Sequence, residues 1–143
     1  MKLLIVEDYL LVAWALRLLV TELGHTVVGI ATFPDKAIRI AQEAEPDLAL
    51  VDIRLENNTS GVDAARGIYE TCGVRSLYVT AYRNDAKRIQ AALGCLLKPY
   101  SQADIRLSLE AVERILGGQE PGKTPAPLEL FRENFPGVRE ASD

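Results

Sequence analysis

The chain has 143 residues, 48% of them hydrophobic and 25% charged, with a net charge of −4. That length and balance suit one soluble domain with a core of its own. The acidic balance argues against nucleic acid as a partner, because phosphate backbones select basic patches. Two cysteines, Cys72 and Cys95, give no disulfide framework and fit a reducing, cytoplasmic setting. No signal peptide is expected, because the apolar start runs directly into Glu7-Asp8. Leu10 to Val20 is apolar but too short to span a bilayer, and it contains Arg17, so no membrane association is expected.

Short β-rich runs alternate with helical patterns, the signature of a parallel sheet covered on both faces. Lys2 to Val6 reads as a first strand, apolar enough to be buried on both sides. A helix follows over Leu11 to Leu23 and is ended by Gly24. Thr26 to Ile30 is a second strand, and Thr32-Phe33-Pro34-Asp35 resembles a capping box opening a helix that runs to about Ala44. Asp47 to Val51 is the clearest buried strand and delivers Asp52 at its end. A polar loop, Glu56 to Gly61, leads to a helix over Val62 to Thr71. Ser76 to Thr80 is a fourth strand, a fourth helix is expected from about Asn84, and Cys95 to Lys98 forms a short fifth strand. Ser101-Gln102-Ala103-Asp104 is a second capping-box pattern. It opens a fifth helix whose core face is Ile105, Leu109, Val112 and Leu116, ended by Gly117-Gly118. Beyond it, Pro121, Pro125, Pro127 and Pro136 interrupt the chain. This segment reads as an extended tail with a short helix near Leu128 to Asn134.

The expected architecture is therefore α/β: a flavodoxin-like, doubly wound (βα)5 fold with a five-stranded parallel sheet in the order 2-1-3-4-5. In that order a crevice opens where the strand order reverses, between the carboxyl ends of the first and third strands. Glu7, Asp8 and Asp52 fall there. Three carboxylates in one crevice repel one another unless a cation neutralises them, and an all-oxygen donor set suits Mg²⁺. Thr80 and Lys98, ending the fourth and fifth strands, offer a hydroxyl and an ammonium to hold phosphoryl oxygens. Phosphoryl transfer asks mainly for positioning and charge neutralisation, and a carboxylate can itself be the nucleophile, giving an acyl phosphate. Lys98-Pro99 is a candidate cis peptide.

The runs Leu-Leu-Ile-Val-Glu-Asp, Pro-Asp-Leu-Ala-Leu-Val-Asp, Val-Thr-Ala-Tyr and Leu-Leu-Lys-Pro-Tyr resemble the receiver domains of bacterial response regulators, over about residues 1 to 117. The resemblance implies that Asp52 is the phospho-acceptor and that Glu7 and Asp8 bind Mg²⁺. It also implies that the backbone carbonyl of Arg54 completes the metal site, that Thr80, beside the small Ala81, moves toward the phosphoryl group, and that Lys98 binds phosphate. The implied donor is a sensor histidine kinase or a histidine phosphotransfer protein, and no catalysis is expected beyond the protein's own phosphorylation and autodephosphorylation. Two departures stand out. The family's switch aromatic, three residues before the lysine, is Cys95 here, with Tyr82 and Tyr100 as substitutes, and the loop after Asp52 lacks the common proline. The expected organisation is a receiver over 1–118 and a Pro-containing tail over 119–143 with no output domain.

In the first helix, Val12, Leu16, Leu19 and Leu23 form one apolar stripe, while Leu11, Trp14 and Leu18 form a second. The second is either edge of core, covered by the tail, or a docking face for a partner. Arg83, Lys87 and Arg88, with Arg106, mark a polar face on the fourth and fifth expected helices. A homodimer could use the first helix, this face, or the tail with its Leu128, Leu130, Phe131 and Phe135. The competing functions are a receiver-like interaction module that is never phosphorylated, a small aspartyl phosphatase, and a flavin or nucleotide binder. The phosphatase lacks a second aspartate two residues after Asp52, and the binders lack a glycine-rich phosphate loop after the first strand.

Overall fold

The computed structural model describes residues 1–55 and 58–137. Glu56 and Asn57 of the expected polar loop, and residues 138–143 of the expected tail, lie outside the described residues. Ten regular elements follow in chain order. They are β1 (Lys2–Val6), α1 (Leu10–Glu22), β2 (Thr26–Ala31), α2 (Pro34–Ala44), β3 (Leu48–Val51), α3 (Gly61–Cys72), β4 (Ser76–Thr80), β5 (Ala92–Leu97), α4 (Gln102–Leu116) and β6 (Leu128–Leu130). Single 3-10 turns lie at Arg83–Asp85 and Arg132–Asn134.

The sheet order is β2-β1-β3-β4-β5-β6. The first five strands are parallel, in the expected order, and all of β3 and β4 is buried. Alternate residues serve opposite faces, as the pleat requires. Leu3, Ile5, Leu48 and Leu50 pack with Ala13, Leu16 and Val20 of α1 and with Ile105, Leu109, Val112 and Ile115 of α4. Leu4, Val6, Ala49 and Val51 pack with Ala37 and Ala41 of α2 and with Ala64, Ala65 and Ile68 of α3. The capping box at α4 is present in both directions, Asp104 N–H to Ser101 Oγ at 3.0 Å and Ser101 N–H to Asp104 Oδ2 at 2.8 Å. The one expected at α2 is absent: Phe33 is the cap residue and makes no side-chain cap, so Pro34 alone presets the first turn.

Two features depart from the expected (βα)5 pattern. No α-helix joins β4 to β5; beyond the 3-10 turn the chain is irregular to Gln90. Between Arg83 and Gln90 only Ala86 and Ile89 are apolar, too few for the stripe a helix needs to hold itself on a sheet. Of the short tail helix expected near Leu128 to Asn134, only the 3-10 turn at Arg132–Asn134 forms. Leu128–Leu130 is instead a sixth strand, antiparallel to β5 with Cys95 opposite Glu129. A Cβ on Gly94 would lie 2.5 Å from the Glu129 carbonyl, so a residue without a side chain admits this strand at close range. Phe131 then lies on the face that the missing helix would have covered. It is 2% exposed, edge-on to Tyr78 with centroids 6.3 Å apart.

In α1 the buried stripe is Ala13, Leu16 and Val20, while Val12 is 37% exposed. The second stripe is open: Leu11, Trp14 and Leu18 are 71%, 51% and 67% exposed. It is neither edge of core nor covered by the described part of the tail, which packs at the far end of the sheet.

Candidate functional site at the carboxyl ends of the central strands

β1 and β3 end side by side, in register from Leu3 opposite Leu48 to Val6 opposite Val51. The next residues on each strand are Glu7 and Asp52, and Asp52 N–H donates to the Val6 carbonyl at 2.9 Å. Parallel pairing thus places two acidic residues together at the point where the strand order reverses. β5 brings the cation. Lys98 N–H donates to the Thr80 carbonyl at 3.0 Å, and its ammonium reaches Glu7 Oε1 at 3.0 Å and Asp52 Oδ2 at 3.2 Å. The Lys98–Pro99 peptide is cis.

Glu7 is 4% exposed. Burial pushes its carboxyl up to about 7, against the pull of the Lys98 ammonium, and the Asp52 charge adds to the rise. The Lys98 ammonium is itself held above the usual lysine range: burial opposes its charge, but the two carboxylates outweigh it. The other oxygen of Asp52, Oδ1, is buried and has no hydrogen-bond partner. A buried acceptor in that condition carries a desolvation cost that an incoming donor or cation would relieve. The crevice lined by Asp52 is narrow, about 10 Å³ between Ile5, Val12, Leu16, Val79 and Tyr100, with barely room for one water.

Thr80 is fully buried at the end of β4, and its Oγ1 accepts from Tyr82 N–H at 3.1 Å. Asp8 is half-buried directly after Glu7, and Arg54 is exposed two residues after Asp52. Glu7, Asp52 and Lys98 are therefore in direct contact, while Thr80 joins them through the Lys98 backbone. Among the described residues no three His, Cys, Asp or Glu side chains converge closely enough, as they stand, to hold a metal ion. Between Glu7 and Asp52 the compensating charge is the Lys98 ammonium.

Three further residues shape the site. Gly61 opens α3 against the Asp52 main chain, where a Cβ would lie 1.9 Å from the Asp52 carbonyl; any other residue would displace the acidic loop. The Arg54 guanidinium covers the ring of Tyr82 at 3.7 Å and pairs with Asp85 at 3.1 Å, so the loop after β3 grips the segment after β4. A glycine closing the polar loop just before a predicted helix was the signal for Gly61; nothing local distinguished Asp85. Cys95, at the expected aromatic position, is buried on the α2/α3 side of the sheet in the same cluster as Tyr78 and Phe131.

A doubly wound sheet with acids and a lysine gathered at its switch point defines a signalling receiver rather than a nucleotide-binding enzyme. The response regulator receiver domain model matches residues 3–110, and the chain belongs to that family of two-component signalling proteins. Over 108 residues it is 36% identical to the phyllosphere-induced regulator PhyR of Methylorubrum extorquens, covering 73% of this chain and 40% of the relative. It is 34% identical over 118 residues to the transcriptional regulatory protein YdfI of Bacillus subtilis, covering 79% of this chain and 55% of that one. The chain thus spans about half the length of these curated relatives. A solved two-component response regulator of the LuxR family from Aurantimonas sp. SI85-9A1 superposes with a TM-score of 0.70 at 25% identity, covering 99% of this chain and 96% of that one. No helix among the described residues is long and apolar enough to cross a membrane.

Proposed function

We propose that this receiver takes a phosphoryl group on Asp52 from a phosphohistidine of a sensor kinase or phosphotransfer protein, in an Mg²⁺-dependent reaction, and signals through protein contact. The carrying observation is the buried, unpartnered Asp52 Oδ1 beside a carboxylate that is paired through Lys98. In this reading Asp52 is the nucleophile, and Lys98 exchanges its hold on the Asp52 carboxylate for a phosphoryl oxygen. Thr80 turns its hydroxyl from Tyr82 N–H toward the phosphoryl group, and Ala81 leaves the approach clear.

The donor chemistry fits a hard cation. Glu7, Asp8, Asp52 and the Arg54 carbonyl supply only oxygen, and the orphaned Asp52 oxygen supplies an open position. When bound, Mg²⁺ would neutralise the charge that gathers on the transferred phosphoryl oxygens. Glu7 must be ionised to serve it, which requires Lys98 or the cation nearby, because burial alone favours the neutral acid. The work expected of the protein is regulatory, limited to its own phosphorylation and autodephosphorylation. A cytoplasmic location and an organisation of receiver over 1–118 plus tail over 119–143 belong to the same reading.

Incubation with acetyl phosphate and Mg²⁺, followed by intact-mass measurement, tests it. Wild type is expected to gain one phosphoryl group, while Asp52→Ala, and wild type in chelator, gain none. Wild type that stays unmodified by acetyl phosphate and by a panel of phosphorylated kinases would instead favour a receiver-like module that never carries phosphate.

A further inference from the structure

The segment that follows α4 does not trail away. It returns to the sheet and takes the place left by the missing helix. Phe131 N–H donates to the Leu93 carbonyl at 2.8 Å, and Leu97 N–H donates to the Pro127 carbonyl at 3.0 Å. The Phe131 ring is buried against Tyr78, with the Arg88 guanidinium 4.3 Å from its centre. Asn134 is 2% exposed and donates from Nδ2 to the carbonyls of Ile89 and Ala92, at 2.7 and 2.8 Å. Glu129 pairs with Arg83 at 3.0 Å and Arg88 at 3.1 Å, and Glu133 meets Arg88 in a two-point pair at 2.6 and 2.7 Å.

These contacts have the form of a bound peptide: main-chain pairing along an edge, one buried aromatic anchor, and acidic side chains on a basic rim. The strand is only three residues long and half-buried throughout, and its ion pairs are exposed. The edge beneath it, β5, is a parallel-sheet edge with unpaired main-chain groups once the cover lifts. A short path links the cover to Asp52. Thr80 Oγ1 holds Tyr82 N–H, and the next residue, Arg83, holds Glu129. A Thr80 hydroxyl that turns toward Asp52 releases Tyr82 N–H and loosens Arg83.

We infer that the β5 edge with residues 83–90 is a strand-accepting docking face, occupied in the resting protein by the chain's own residues 128–135 and uncovered by phosphorylation of Asp52. The partner it fits is an extended protein segment that repeats the same pattern, Glu-Leu-Phe followed two residues later by a glutamate. The coupling half rests on the proposed phosphorylation at Asp52; the covering half does not.

Amide hydrogen exchange on the full chain, read by mass spectrometry beside the intact mass, tests both halves. In protein that carries a phosphoryl group, peptides spanning 92–97 and 127–135 are expected to exchange at least about tenfold faster than before, with α1 and β1 unchanged. A labelled peptide with the sequence of residues 126–137 is expected to bind that phosphoprotein and not the resting protein. Phe131→Ala, which removes the anchor of the covering segment and leaves β5 and residues 83–90 intact, is expected to open the same peptides without phosphate and to admit the labelled peptide, whereas Gly94→Val, whose side chain would strike the Glu129 carbonyl of either strand, is expected to open them and to refuse it. Phosphorylated protein with full protection over 127–135 would overturn the coupling. A Phe131→Ala protein that is folded and open but does not bind the peptide, or a Gly94→Val protein that stays protected over 127–135, would overturn the docking face. Failure of Asp52 to accept phosphate counts against the proposed function and leaves the two variants to decide the face.

Discussion

Arg54 lies over the ring of Tyr82, the guanidinium carbon 3.7 Å from the ring centre, although one follows β3 and the other follows β4. The pair spans the two loops that a phosphoryl group on Asp52 would separate or draw together. Arg54 also binds Asp85, so one side chain near Asp52 fixes both ends of the 3-10 turn. Both partners are largely exposed, which limits the pair to roughly 0.5–1 kcal/mol of stability. Tyr82→Ala should therefore lower the unfolding free energy by less than about 1 kcal/mol. It should also change the rate of phosphoryl loss from Asp52, measured by the decay of labelled protein. Equal decay in Tyr82→Ala and wild type would remove Tyr82 from the switch.

Glu7 gives the metal-free protein a distinctive dependence on pH. Its carboxyl titrates near 4.5 in the unfolded chain and near 7 in the folded one, chiefly through burial. Between those values the folded state binds more proton than the unfolded state, so stability falls as pH rises. The loss is at most about 3 kcal/mol, complete only above the folded value, and it is absent below pH 4.5. Urea unfolding in chelator at several pH values should show this decline, and Glu7→Gln should flatten it. A wild-type curve that rises between pH 5 and 7 would contradict the burial.

A divalent cation should offset part of that slope, because it favours the ionised form of Glu7. Added Mg²⁺ should raise stability by about 1.4 kcal/mol at ten times its dissociation constant. Asp8→Asn and Asp52→Asn should each remove most of the gain, whereas Thr80→Ala should keep it. Thermal melts with and without chelator make the comparison. A gain of equal size in Asp52→Asn would place the ion elsewhere.

The cysteines report on the C-terminal strand. Cys72 is half-buried, whereas Cys95 is 1% exposed, and burial pushes its thiol up to about 11. A maleimide should modify one thiol of the native protein quickly and the other only on unfolding. Phe131→Ala should cost about 3 kcal/mol as a core deletion and bring Cys95 within reach of the reagent. Slow labelling of Cys95 in that variant would mean that Phe131 does not guard it.

The strands and the acidic crevice were legible because β1 and β3 announce themselves by unbroken apolar runs that end in acids, and parallel register does the rest. The lysine and threonine followed from their positions at the ends of β5 and β4. What stayed hidden was non-local. Arg83 to Gln90 has helical composition at several positions but no apolar stripe, so its conformation is decided by the chain that returns over it. That return depends on Gly94 as a point of close approach and on Phe131 as an anchor, residues 37 positions apart with no shared periodicity. The same reasoning misassigned Leu128–Leu130, whose partner strand is decided by tertiary contact rather than by local propensity.

The chain contains a single tryptophan, Trp14, with half of its surface in water on a face of α1 that no described element covers. Its emission should accordingly be long-wavelength and readily quenched by acrylamide in the isolated protein. Any molecule that settles over this side of the receiver would shift that light to shorter wavelength, so association can be followed in real time without attaching a dye.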